Sequence, residues 1–464
     1  MQMSGNEIEI AMQKPIESGN NSDKPSVVKE LILYNLAGFS LNIYDTILSA
    51  WILFFYIPPK DLGRIQYIPM AALGVILAGG RILDAVTDPF VGYLSDHTKT
   101  RWGRRKPYIF ISAPFLYLSF FLVWFPPVNG ASTLNAVFLG VVLFVYYWSY
   151  TGVLIPWFAV LPEMRTENKS RVKIATVGVA IGVIGALVGG GLSGPLLENL
   201  GAFRMAIILG FAAFIAGELT LFGITERYRS ESVESAPGFL GFFKVLKQVF
   251  SDKQVLSFAI MIMFVQLTYQ LMLINVPYFT TLILGRSESD ASMLMAQVII
   301  VMAISTPLWY FLLSRFPKRT IFRGIMATMA FGYVLGFFIG RFPLFSTYIQ
   351  TLIIFSIIAI PFGGMFAAVL GIIADIADYD ELKSGKRREA VYYGIYGIVR
   401  KTGWAFCPLI VVGVFTVFGS SFENPTGVRV VWLICALACL LGFLAFLPYK
   451  LGDSQKETKE KMNL

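Results

Sequence analysis

Between Gly79 and Pro107 the chain reads GGRILDAVTDPFVGYLSDHTKTRWGRRKP. Arg81, Asp84 and Asp88 lie in the apolar first part, three and four residues apart. Neighbours at those spacings share one face of a helix, so a cation and two carboxylates fall on a single stripe. Ionisable groups at membrane depth cost roughly 2.5–3.5 kcal/mol each on insertion scales, and they mark ion or solute paths. Two acids against one arginine leave negative charge in excess, which is unfavourable until a cation or proton arrives. Thr87 adds a neutral oxygen three residues after Asp84. Two carboxylates and a hydroxyl suit a small hard cation, so Na+ at Asp84 and Asp88 is one expectation. A proton is the other, because paired carboxylates hold one readily.

Further polar groups lie in other apolar segments. Asn42 and Asp45 are three apart in the first. The fourth reads VYYWSYTGVLIPWFAVLPE, where Thr151 could offer a hydroxyl to the ion. Tyr150 and Trp157 could line a substrate pocket, although packing alone is the plainer account of any one aromatic. Gln266, Tyr269 and Gln270 share a face of the seventh segment, and Tyr396 lies in the eleventh. Arg400 and Lys401 follow Tyr396 and need partners at that depth. Adjacent helical residues point in different directions, and either of these cations, like Arg81, could neutralise the acids when no ion is bound. Asp375, Asp378 and Glu381 oppose Lys386, Arg387 and Arg388 across a short turn. With Asp96, Arg101 and Arg104 after the second segment, these form a candidate cytoplasmic gate; a solvated loop is the plainer alternative.

The elements that must position these groups follow from composition. The chain has 464 residues, 56% hydrophobic and 14% charged, against about 25% charged in soluble domains. Mean hydropathy is +0.66. An all-α membrane protein is implied. Twelve segments reach the roughly 20 apolar residues that cross a bilayer. They divide into a tail 1–30, a six-helix bundle 31–225, a linker 226–253, a second six-helix bundle 254–448 and a tail 449–464. The linker ends FLGFFKVLKQVF, the pattern of an interfacial amphipathic helix. Six helices, a linker and six more is the layout of transporters built from parallel repeats.

Most of the 38 Lys and Arg fall in the tails, the linker and the loops on the same side of the bilayer as these. Lys60, Arg64, Arg204, Arg286, Arg341 and Arg429 fall in the opposite loops. That bias places both termini in the cytoplasm, with the plasma (inner) membrane as the expected location. It also accounts for the net charge of +9 without nucleic acid. Cys407, Cys435 and Cys439 lie in apolar segments and suggest neither disulfides nor zinc. His97 is the sole histidine and lies in a loop, so no histidine proton relay is expected. GVIGALVGGGLSGP, residues 182–195, reads as a close-packing or sliding surface, because small residues let helices approach in lipid.

The chain resembles the glycoside–pentoside–hexuronide:cation symporters of the major facilitator superfamily, the melibiose-permease type. One match, D-A-x-x-D-P-x-x-G-x-x-x-D-x-T-x-x-R-W-G-R-x-x-P, runs from Asp84 to Pro107. The other, A-D-x-x-D-Y-x-E-x-K-x-G-K-R-x-E, runs from Ala374 to Glu389. The resemblance implies a major facilitator fold with Asp84 and Asp88 as cation-site carboxylates, Thr151 near the ion and Lys401 facing it. Where the sugar permeases of the family carry an acid on helix one, this chain has Asn42, with Asp45 close by; where they carry one on helix four it has Leu154. Their helix-five arginine falls in an apolar stretch around Val179. Those departures argue against a simple galactoside.

The expected activity is symport of a sugar, glycoside or related small solute with Na+ or H+ by alternating access. The solute would sit among Asn42, Asp45, Tyr150, Trp157, Gln266, Gln270 and Tyr396. The main alternative moves a lysophospholipid or other amphiphile on the same scaffold, and a remote one is a non-transporting sensor. No enzyme chemistry and no cofactor beyond the coupling ion is expected. The partners are the solute, the cation and the bilayer, and a monomer suffices.

Overall fold

The computed structural model describes residues 27–164, 168–226, 250–385, 389–452 and 455–462. The expected amphipathic linker helix falls almost wholly outside them. The described chain is helical: α1 Val27–Leu33, α2 Leu36–Tyr56, α3 Met70–His97, α4 Lys106–Val123, α5 Thr133–Met164, α6 Asn168–Leu219, α7 Lys253–Leu282, α8 Glu288–Arg315, α9 Lys318–Phe337, α10 Thr347–Ser384, α11 Glu389–Phe418, α12 Thr426–Phe446 and α13 Gln455–Met462.

Among the described residues, eleven helices are long and apolar enough to cross a membrane. One of them, Lys169–Phe222, has 54 residues. At 1.5 Å per residue it would run about 80 Å, more than twice a hydrocarbon core of about 30 Å. It breaks at Gly201, where φ is 82° and ψ is 163°, a backbone state that essentially only glycine adopts. Taken as two traverses, α6 brings the total to the expected twelve. Local chemistry marks other helix ends. Pro69, Pro317 and Pro425 stand before α3, α9 and α12. Asp252 and Ser346 cap α7 and α10 by accepting from Gln254 N–H and Ile349 N–H, satisfying donors that a helix start leaves free.

Packing repeats between the two halves. In the first, α2 packs on α6, α3 on α5, and α4 on α5 and α6; in the second, α7 packs on α11 and α12, α8 on α10, and α9 on α10 and α12. Across the halves the contacts are α2 with α7, α3 with α11 and α6 with α8. This is the two-fold repeat of a major facilitator fold. α2 and α7 are buried along most of their length, whereas most of α4 is not, so α2 and α7 are the central helices and α4 lies at the periphery. The glycine stripe of α6 lies where that helix packs closely on α2 and α8. A methyl group at Gly185 or Gly189 would collide with the α2 backbone at Phe39 or Ile43, and one at Gly194 with the α8 backbone at Glu288.

Candidate functional site

The polar centre of the molecule forms where α3, α5 and α11 meet. The i, i+4 spacing of α3 puts Asp84 and Asp88 on one face, and α11 brings Lys401 to both. Lys401 Nζ lies 2.9 Å from Asp84 Oδ1 and 2.7 Å from both Asp88 carboxylate oxygens. It also donates to the Asp84 carbonyl at 3.2 Å. From α5, the Thr151 hydroxyl lies 3.1 Å from Asp88 Oδ1 and 3.3 Å from Asp84 Oδ1. Thr87 Oγ1 is 3.1 Å from Thr151 Oγ1 and donates to the Asp84 carbonyl. Lys401 and Asp84 are almost fully buried, whereas the Asp88 side chain keeps 16% exposure. Asp84 Oδ2 is buried without a hydrogen-bond partner. Pro89 stands next to Asp88 inside α3 and removes one helix hydrogen bond beside the cluster. One ammonium thus holds two carboxylates together across the two halves, and one carboxylate oxygen is left unsatisfied.

Arg81 is not part of that arrangement. The spacing of α3 placed it beside Asp84; instead Arg81 Nη1 pairs with Asp45 Oδ1 on α2 at 3.0 Å, and Nη2 donates to Ser49 Oγ at 2.9 Å. The guanidinium also lies over the Tyr147 ring, 5.4 Å from its centroid, and over Trp404 at 5.0 Å. A neighbouring helix offering a carboxylate and a hydroxyl outcompetes an acid one turn away that is already held by Lys401. Arg400 likewise contacts neither Asp84 nor Asp88 through an ion pair. Its guanidinium lies 4.8 Å from the Trp404 ring centroid and 6.0 Å from that of Tyr396.

The remaining candidates sort by surroundings. Asn42 is exposed in the middle of an otherwise buried helix and donates to the carbonyl of Gly38. Gln266 and Gln270 are buried on α7; Gln266 Nε2 reaches Tyr396 Oη at 3.5 Å, and Gln270 Oε1 has no partner. Tyr150 stacks on Tyr146 and lies within electrostatic reach of Asp45, Asp84, Arg400 and Arg81. Trp157 is the exception. Its Nε1–H donates to the Tyr34 carbonyl while the Tyr34 hydroxyl donates to the Trp157 carbonyl. That reciprocal bond commits it to packing between α5 and the start of α2. Ser49 and Trp404 were not among the residues expected from sequence. Each lies four residues beyond an expected one, Asp45 and Arg400, and that spacing is the signal that could have found them.

The two ends of the bundle differ. At the end away from both tails, bonds cross between the halves. The Tyr278 hydroxyl donates to the Ile57 carbonyl at 2.7 Å, and Gly194 N–H donates to Ser292 Oγ at 2.7 Å. Arg64 pairs with Glu288 at 2.5 Å, Ser289 N–H donates to Glu198, and Phe422 N–H donates to Asp61. At the tail end, the charges expected to form a gate bind within one half. Arg104 and Arg105 hold Glu163, Arg105 holds Asp96 at 2.9 Å, and Asp375 holds Lys318 at 2.6 Å. Glu226 accepts the backbone N–H groups of Arg104, Arg105 and Lys106 at the start of α4, a favourable site for an anion. Arg101 is exposed, and Asp378 and Glu381 are half-buried. Arg387 lies outside the described residues.

Comparison with known proteins agrees with this architecture. Residues 33–451 match the family described as MFS/sugar transport protein. The chain is 23% identical to the sodium-dependent lysophosphatidylcholine symporter 1 of Gallus gallus, over 83% of this chain and 81% of that protein. It is also 23% identical to the isoprimeverose transporter of Lactiplantibacillus pentosus, over 85% of this chain and 83% of that one. Among solved structures, the D-xylose-proton symporter superposes with a TM-score of 0.67 at 14% identity, covering 93% of this chain and 99% of the other.

Proposed function

The chain belongs to the MFS/sugar transport protein family, a membrane transporter and not an enzyme, and from that premise we propose that Asp84 and Asp88 bind the coupling cation in competition with Lys401. The carrying observation is that, among the described residues, Lys401 is the one cation paired with both carboxylates, while Asp84 Oδ2 has no hydrogen-bond partner. Two carboxylates and two threonine hydroxyls are oxygen donors that suit Na+. The same pair suits a proton, which would neutralise one acid. Either arrival weakens the hold of Lys401 and loosens the tie between α3 and α11. The co-transported solute is a sugar, glycoside or related small molecule held between the halves by Asn42, Asp45, Tyr150, Gln266, Gln270 and Tyr396. Coupling then requires each ligand to raise the affinity of the other, typically by about 1–3 kcal/mol.

The arrangement at the two ends supports an inward-facing state, with both tails in the cytoplasm and the outer ends of the halves joined. The tail-side charges, bound within each half here, would meet across the halves in the outward-facing state. An amphiphile remains the second reading: Leu154 replaces a polar group on α5, and one relative is named for lysophosphatidylcholine. The test is the melting temperature of purified protein in Na+ or at low pH, with and without glycosides and lysolipids, since a ligand that binds the folded state raises it. A cation-induced rise in the wild type that is lost in both Asp84→Asn and Asp88→Asn supports the site. A rise that persists in both variants contradicts it.

A further inference from the structure

At the tail end of the second half the cations are of two kinds. Lys318 and Lys383 are held by Asp375 and Asp252. Arg319 and Arg323 pair with no carboxylate among the described residues. They stand one turn apart on α9, within electrostatic reach of each other, and like charges at that spacing destabilise a helix. Arg323 is fixed in place: its Nη2 donates to the Leu447 carbonyl at the end of α12 at 3.0 Å, while its Nε is buried without an acceptor. Buried donors without acceptors are costly and rare. α9 has 20 residues, about 30 Å at 1.5 Å per residue, just enough to cross the hydrocarbon core. Its first two turns therefore lie at the boundary between head groups and chains. Further along the same face come Ala327 and Ala330, neither of them buried, whose small side chains leave room for an alkyl chain. On the neighbouring α12, Leu444 and Leu447 are exposed.

We propose that Arg319 and Arg323 bind the phosphate of an anionic phospholipid from the leaflet on the tail side, with an acyl chain lying along Ala327 and Ala330. The place is the outer edge of the second half, away from the centre where α3, α5 and α11 meet. The lipid is therefore a resident of the carrier and not its solute, and the proposal does not depend on the cation-coupled reading above. Two unpaired guanidinium groups at the edge of a medium that disfavours isolated charge call for an anion. A planar fork of N–H donors suits phosphate geometry, and basic sites between helices on the cytoplasmic side bind anionic head groups. A zwitterionic lipid brings its own ammonium and so offers these arginines less. Free phosphate has the same chemistry without the chains, and gains nothing from the apolar surface below Arg323.

The experiment is a titration of the full-length protein in neutral detergent, read by melting temperature. The probes are phosphatidylglycerol, phosphatidylcholine with the same chains, and inorganic phosphate. Phosphatidylglycerol should raise the melting temperature, and the other two should not at the same concentration. Arg319→Gln with Arg323→Gln should weaken phosphatidylglycerol binding about ten- to a hundredfold, the loss expected for hydrogen bonds to a charged group. Arg319→Gln alone keeps the Leu447 contact and should shift binding in the same direction, so the test stands even where the double variant fails to fold. Lys169→Gln with Lys173→Gln removes two exposed cations at the same spacing on the tail side of the first half. That variant should bind phosphatidylglycerol as the wild type does. Equal responses to the two lipids, including none to either, overturn the proposal. So does unchanged affinity in the arginine variants, or an equal loss in the lysine variant, which would reduce the effect to general attraction by a basic face. A response to inorganic phosphate equal to that to phosphatidylglycerol overturns the lipid as occupant.

Discussion

The centre of the molecule holds two ionic clusters made from the same kinds of residue and wired differently. Asp45 and Arg81 both belong to the first half, match one to one, and gain a hydroxyl from Ser49 and the ring of Tyr147 in that half, with the Trp404 ring of α11 stacking on Arg81 from the other half. Asp84, Asp88 and Lys401 span both halves, match two to one, and leave a carboxylate oxygen without a partner. A matched pair inside one rigid unit has no reason to come apart when the units move. A mismatched cluster between units is incomplete without a visitor and is pulled on by any relative motion. The first reads as a fixed pair in the wall of the proposed solute site and the second as the coupling device.

The contrast can be broken most sharply at the carboxylates. Asp88→Asn or Asp84→Asn should reduce cation-driven uptake into proteoliposomes to background, about a hundredfold or more, while the protein still inserts and purifies. Uptake near the wild-type level in both variants would make the cross-half cluster mere glue. Next in size is the matched pair. Arg81→Ala strands a carboxylate and should cost about 3–5 kcal/mol of stability, as breaking a buried pair does, whereas Asp45→Asn with Arg81→Gln removes both charges and should recover most of that loss. Added cation should leave the Arg81→Ala deficit unchanged. Restoration of that variant by Na+ would show that the two clusters are one.

Smaller effects sharpen the contrast between units that move and contacts that hold them. Arg64→Ala removes an ion pair that joins the outer ends of the halves, with Arg64 itself 45% exposed. Exposed pairs are worth about 0–1 kcal/mol, so the population of outward-facing molecules should rise only a few-fold, as read from spin-label distances between the outer ends. At the opposite end, Asp252 holds Lys383, Tyr379 and the Gln254 N–H. Burial raises its carboxyl, but these three donors outweigh burial and hold it below the ordinary carboxylate range. A lowered acid contributes stability that is complete above its unfolded value and lost as pH falls through the folded one. The stability difference between wild type and Asp252→Asn should therefore be present at neutral pH and be lost as pH falls below the ordinary carboxylate range, measured by melting temperature across that range.

Much of this was legible in the chain because it is local. Helical spacing alone places Asp84 and Asp88 on one face, and apolar length alone gives the twelve traverses, including the pair that Gly201 divides. The glycine stripe of residues 182–195 reads as a close-approach surface because Gly182, Gly185 and Gly189 recur there at helical spacing. What spacing cannot give is the choice among partners on other helices. Arg81 had an acid one turn away and another on α2, and tertiary packing chose Asp45. Arg400 and Lys401 were known to diverge, but which of them faced the carboxylates depends on the rotation of α11 against α3. Trp157 lies in the same apolar stretch of sequence as Tyr150, but it meets the Tyr34 backbone, more than a hundred residues away.

The central claim, that Lys401 occupies the place of the coupling cation, is tested most directly by calorimetric titration of the wild type and Lys401→Gln with Na+ and with acid. Removal of a competing ammonium from two buried carboxylates should tighten binding of one of these cations by about tenfold or more, since charged contacts of this kind are worth about 1.5–3 kcal/mol. Weaker or absent binding of both in a variant that remains folded would show that Lys401 helps to build the site instead of filling it.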